Sequence, residues 1–177
     1  LAIVGVLLLS TQLLFGTFVD DSRVLAIRDR SSVPGREAGE IVEFLDNNYE
    51  DIYQMTILQS GIPELHAFLP INDFIYFNQH NSHPAANFSQ RFYYLKSLEL
   101  VQTKEEFYDK IVNTPFGGID LLILFKNQDK YSLFFNLDNF PNEMREELID
   151  IPQDLIDDNF FEEKFDNKDY KIFAPKL

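Results

Sequence analysis

The chain opens on an uncharged apolar run, Leu1 to Val19, and only after Asp20 do apolar and polar positions alternate in ways that mark folded elements. At about 1.5 Å per residue, a helix over this run spans the hydrocarbon core of a bilayer, so a transmembrane helix is predicted over residues 1–19. Its mid-membrane notch, Ser10-Thr11-Gln12, suits a face packed on other helices. Residues 20–35, ending in the turn-rich DRSSVPG, read as a juxtamembrane connector. From Arg36 to Asn47 the apolar residues Ala38, Ile41, Val42 and Leu45 recur at the spacing of one helical face. Asp51 to Gln59 alternates and then turns apolar, as a strand does, and Pro63 opens a short helix through Leu69. Phe74-Ile75-Tyr76-Phe77 reads as a second strand buried on both faces, which makes strand, helix and strand a parallel crossover unit.

Beyond it the period changes again. Pro84 forbids a helical His83, so Ala85-Ala86-Asn87-Phe88 with Arg91 is expected to start a helix whose apolar stripe, Phe88, Phe92, Leu95 and Leu98, runs to Leu98. A second helix is predicted over Lys104 to Val112, with Thr103 and Glu106 in a capping-box pattern. Ile119 to Lys126 is the most apolar strand and belongs at the sheet centre. Lys130–Leu137, Arg145–Ile151 and Asp169–Ala174 are predicted as short strands without long helices between them, a pattern of antiparallel additions at one edge. The acidic run Asp157-Asp158 to Glu162-Glu163 reads as a solvated loop with Phe160 and Phe161 turned inward. The predicted fold is therefore α/β: a mixed sheet with a parallel βαβ start and antiparallel C-terminal edge strands over residues 36–177, preceded by one transmembrane helix.

Candidate chemistry gathers where the second predicted strand stops, at Asn78-Gln79-His80-Asn81-Ser82-His83. In open α/β sheets ligands collect at the carboxyl ends of strands, because loops there are freed from pairing and aim side chains into a common crevice. Asn78, His80 and His83 can pair with sugar hydroxyls, Tyr76 can stack on a sugar ring, and Arg91 can reach back into the crevice or pair with a carboxylate. The competing reading keeps each residue within the fold, with His80 bonding a backbone carbonyl and Pro84 fixing the turn. Two histidines three apart lack the third donor and rigid frame that zinc requires, so no metal and no other cofactor is expected. Ser82 has no nucleophile-elbow context, and no catalytic residue is assigned.

Composition narrows the partners. A formal net charge of −14 disfavours nucleic acid and any anionic surface, which would need a basic stripe. The absence of cysteine excludes disulfides and thiolate chemistry. With 18 Phe and 8 Tyr, the chain suits strand-rich packing and has aromatic faces to offer a sugar.

The ordered set His80, Pro84, Ala86, Phe88, Arg91, followed by Tyr131-Ser132-Leu133, Asp138, Phe140-Pro141-Asn142, Asp157-Asp158 to Phe161 and Tyr170-Lys171-Ile172-Phe173-Ala174, resembles the C-terminal domain of galactan arabinofuranosyltransferases. That resemblance covers roughly Ile71 to the C-terminus. It implies the extracytoplasmic C-terminal domain of a multi-pass cell-membrane enzyme that moves arabinofuranose from a decaprenyl-phosphate donor to cell-wall galactan. Its partners would be the polyprenyl-phosphate sugar donor and the glycan acceptor. The base would lie in a preceding membrane portion, an expectation that a start at Leu1 rather than Met shares. Asp20-Asp21 would then terminate the helix in the headgroup zone. Arg23, Arg28, Arg30 and Arg36 point the other way, since basic residues close to a span favour the cytoplasmic side. The alternative is a non-catalytic membrane-tethered envelope module that binds polysaccharide or protein.

Overall fold

The computed structural model describes residues 36–79, 86–138 and 145–176. The predicted transmembrane helix and connector, together with His80 and His83, lie outside the described residues. Among those described, no helix is long and apolar enough to cross a membrane.

The architecture is a mixed seven-stranded sheet with helices on both faces. Its pivot is β3 (Leu121–Asn127), whose first four residues are all buried. Because side chains alternate along a strand, Leu121 and Ile123 point to one face and Leu122 and Leu124 to the other. The first face is covered by α1 (Arg36–Asn48), through Ala38, Ile41 and Leu45, and by α2 (Pro63–Phe68), through Leu65. The second is covered by α3 (Phe88–Lys96), through Phe92 and Leu95, and by α4 (Lys104–Val112), through Phe107 and Ile111. A strand buried on both sides must be apolar throughout, which is why this run reads so clearly in sequence.

β1 (Thr56–Gln59) pairs in parallel with β2 (Asn72–Asp73) on one side and with β3 on the other, so the α2 crossover is the predicted parallel unit. The antiparallel part is β4 (Lys130–Leu137), β5 (Arg145–Pro152), β6 (Phe161–Asp166) and β7 (Tyr170–Pro175). These strands flank β3 on both edges rather than adding to one. β7 meets Leu122–Phe125 opposite β1, while β4 takes the end of the β1 edge, at Phe125–Asn127.

Three expectations need correction. The acidic stretch 157–163 is not a loop throughout: Phe161 begins β6, held against β7, with its ring buried while Glu162 and Glu163 face water. So many carboxylates hide the alternation and give the run a solvated look in sequence. The first strand begins only at Thr56, after a 3-10 turn over Ile52–Gln54. The helix after the polar loop begins at Phe88, with Asn87 in the left-handed region at φ 52°, a conformation Asn tolerates better than most side chains.

The run 74–77 also departs from a regular strand. Phe74, Ile75 and Phe77 are buried as predicted, yet ladder pairing ends at Asp73 and resumes only where Asn78 bridges Asn136. Between those points the backbone crosses from the edge of β1 to that of β4. The Phe74 N–H donates to the Ile57 carbonyl at 2.7 Å and the Phe77 carbonyl accepts from the Asn136 N–H at 2.8 Å.

Candidate functional site at the carboxyl ends of β1 and β2

Both parallel strands end in polar side chains that turn toward each other. Gln59, the last residue of β1, is fully buried; Asp73, the last of β2, keeps 6% of its side chain exposed. The Gln59 amide nitrogen donates to Asp73 Oδ2 at 3.2 Å, and its Oε1 accepts from the Ile62 N–H at 2.6 Å, one residue before α2 begins. A burial this complete is tolerable only because both ends of the amide are engaged.

His66, projecting from α2, completes the group. Its Nε2 lies 2.6 Å from Asp73 Oδ2, and its ring is 32% exposed. A carboxylate can only accept, so Nε2 carries a proton, and in the neutral ring Nδ1 is left with its lone pair. Nδ1 has no partner among the described residues. Asp73 Oδ1 is buried and likewise without a partner among them. The ring of Tyr76 stands edge-on to the imidazole, centroids 4.9 Å apart. A buried acid thus holds a half-open imidazole beside an aromatic ring.

The residues singled out from sequence distribute around this group. Tyr76 is in it, half-buried between His66 and Phe77. Asn78 follows two residues later, half-buried at its bridge with Asn136. Next to it, Gln79 Oε1 accepts from the Asp138 N–H at 3.0 Å, which ties the start of the polar loop to the end of β4. Arg91 serves the fold: Nη1 donates to the Phe74 carbonyl, and the guanidinium carbon sits 5.2 Å and 5.4 Å from the ring centroids of Phe74 and Phe116. Its Nε is buried without a partner among the described residues.

Sequence reasoning missed Gln59, His66 and Asp73. The carboxyl-end rule points to the same end of the sheet as this group, but the aromatic run places the end of the second strand at Phe77 rather than Asp73, which moves the expected residues along the chain. The available signal was a Gln closing a buried strand and an Asp opening an aromatic run, two polar residues at positions that packing alone would fill with apolar ones.

A cleft of about 490 Å³ lies elsewhere, lined by Asn48, Glu50, Asp51, Gln54 and Asp120. These residues precede β1 and β3, so the cleft sits at the amino ends of the strands. Its best-placed carboxylate is already used: Asp120 Oδ2 accepts from the Thr56 N–H at 2.7 Å. No three His, Cys, Asp or Glu side chains converge as a metal ion would require among the described residues. This cleft offers volume, whereas the His66 group offers oriented polar side chains.

No protein-family model matches this chain, and no curated protein matches it in sequence.

Proposed function

We propose that residues 36–177 are the acceptor-binding domain of a membrane glycosyltransferase, and that a glycan lies across the carboxyl ends of β1 and β2 against His66, Tyr76 and Asn78. The observation that carries this reading is the His66–Asp73–Gln59 group with Tyr76 at its side, because a partly exposed imidazole held by a buried acid, next to an aromatic ring, suits a neutral polyhydroxyl ligand. The segment that leaves this group enters the loop carrying His80 and His83, whose order with Pro84, Ala86, Phe88 and Arg91 underlies the likeness to galactan arabinofuranosyltransferases. On that likeness the transferred sugar is arabinofuranose, the donor a decaprenyl phosphate, the acceptor cell-wall galactan, and the domain faces outward from a cell membrane.

The domain contributes binding and orientation. Holding the acceptor hydroxyl in place lowers the entropic part of the barrier without an acid or base of its own. A second reading, an envelope module that binds polysaccharide without transferring sugar, draws on the same group, since neither a nucleophile nor a second carboxylate bonds to His66 among the described residues.

Titrating the chain with a linear galactofuranose oligosaccharide separates site from scaffold. Tyr76→Ala and Asn78→Ala each weaken binding roughly two- to tenfold, the worth of one or two hydrogen bonds or ring contacts, read well below the melting transition, which Tyr76→Ala lowers because its ring packs on Phe77. Affinity equal to that of the parent chain in both variants would remove this end of the sheet from the site. Release of polyprenyl phosphate from the lipid-linked donor by membranes carrying the protein distinguishes the transferase from the module.

A further inference from the structure

We infer that His66 Nδ1 is a hydrogen-bond acceptor for one hydroxyl of the bound ligand, and that Asp73 behind it makes the subsite selective for neutral sugars over acidic ones. This rests on the carbohydrate-binding reading and deepens it.

Three observations converge on this assignment. Asp73 is almost wholly buried and bonds the ring through Nε2, which fixes both the tautomer and the direction in which the ring presents its other nitrogen. The ring itself is about a third exposed, at 32%, and Nδ1 meets no protein donor among the described residues. A lone pair on this partly exposed ring, beside the Tyr76 ring, fits an O–H donor. The neighbouring charge then decides which sugars can come. Asp73 bonds the Gln59 amide and the imidazole, and its Oδ1 has no partner among the described residues, so with the ring in its neutral form no lysine or arginine among them offsets its charge. A carboxylate or phosphate brought against His66 meets that field at short range, on a chain of net charge −14. A hydroxyl meets no such repulsion.

A structural tether between α2 and β2 would need the His66–Asp73 bond but not the outward nitrogen, and one substitution separates the two. His66→Gln places an amide N–H where Nε2 stands, which keeps the bond to Asp73, and removes the ring lone pair. Asp73→Asn keeps the shape and removes the charge.

The test uses the ¹⁵N-labelled full chain, with a galactofuranose oligosaccharide and an oligogalacturonate of equal length as probes. The imidazole spectrum of the neutral His66 ring should show the Nε2–H tautomer alone, and the neutral oligosaccharide should shift the Nδ1 resonance. His66→Gln should weaken that binding roughly two- to tenfold with melting unchanged. The oligogalacturonate should bind more than about tenfold more weakly than the neutral probe, and Asp73→Asn should narrow that gap. An Nδ1–H tautomer, or galactan binding that leaves Nδ1 unmoved, overturns the inference alone. Equal affinity for the two probes overturns the selectivity. Absence of galactan binding anywhere on the chain defeats the carbohydrate reading and this inference with it.

Discussion

Gly61 shows how single residues set this site. It directly follows Ser60, whose hydroxyl donates to the Ser132 carbonyl at 2.7 Å and pins the end of β1 to β4. The chain must then turn within two residues to begin α2, and Gly61 does so at φ +65°. A Cβ there would stand 3.1 Å from Phe134 Cδ1 and would force a side chain into the left-handed region. Gly61→Ala should therefore destabilise the domain by about 1–2 kcal/mol in urea unfolding. A change near zero would show that the turn relaxes freely. Arg91 is a comparable case on the opposite face, where a planar guanidinium sits against the edge-to-face pair of Phe74 and Phe116 while bonding the Phe74 carbonyl. Arg91→Lys keeps the charge but neither the stacking nor the fork, so a loss of roughly 1–3 kcal/mol is expected in the same assay.

At the scale of elements, capping and edge protection explain what sequence pattern alone leaves open. Thr103 accepts the Glu106 N–H at 3.2 Å at the start of α4, the bond that its spacing predicted. Thr103→Ala should lower the unfolding free energy by about 1 kcal/mol. β5 is an edge strand whose free backbone groups are covered by the 3-10 turn Ser97–Leu100 and the residue before it. Lys96 Nζ donates to the Leu148 carbonyl at 3.3 Å and Glu99 Oε1 accepts from the Asp150 N–H at 3.3 Å, which occupies groups that could otherwise recruit another strand. The helices and the central strand were legible because long apolar stripes have a period. β6 was not, since four of its six residues are charged and only its pairing with β7 reveals the strand. β2 was misplaced because pairing stops two residues after it starts, while the aromatic run that looks like a strand is buried by packing instead. That shift concealed His66 and Asp73. A site spread over two strand ends and a helix turn has no local motif, and only the parallel register brings its members together.

For the molecule as a whole, surface ion pairs tie the helical layer to the antiparallel strands and give stability a defined response to pH. Lys104, at the start of α4, bonds Asp157 just before β6, and this holds the Asp157 carboxyl below the usual carboxylate range; Lys164 does the same for Glu162. Depressed carboxylates contribute stability above their unfolded values, and the contribution disappears as pH falls through the folded ones. The difference in urea midpoint between the parent chain and Asp157→Asn should thus be present near neutral pH and vanish in acid. Convergence toward alkaline pH instead would reverse the assignment. Both strand ends of the sheet carry polar residues among those described: the amino end has an open acidic cleft with Asp120 bonded to the Thr56 N–H, the carboxyl end an imidazole held by a buried carboxylate.

Backbone amide shifts can decide at which of these two ends a glycan sits. Titrating the labelled chain with the neutral galactofuranose oligosaccharide should perturb amides at Gln59–Ile62, His66 and Asn72–Asn78 and leave Asn48–Met55 and Asp120 unmoved. Perturbation centred on Asn48–Met55 and Asp120, with the His66 neighbourhood silent, would contradict it.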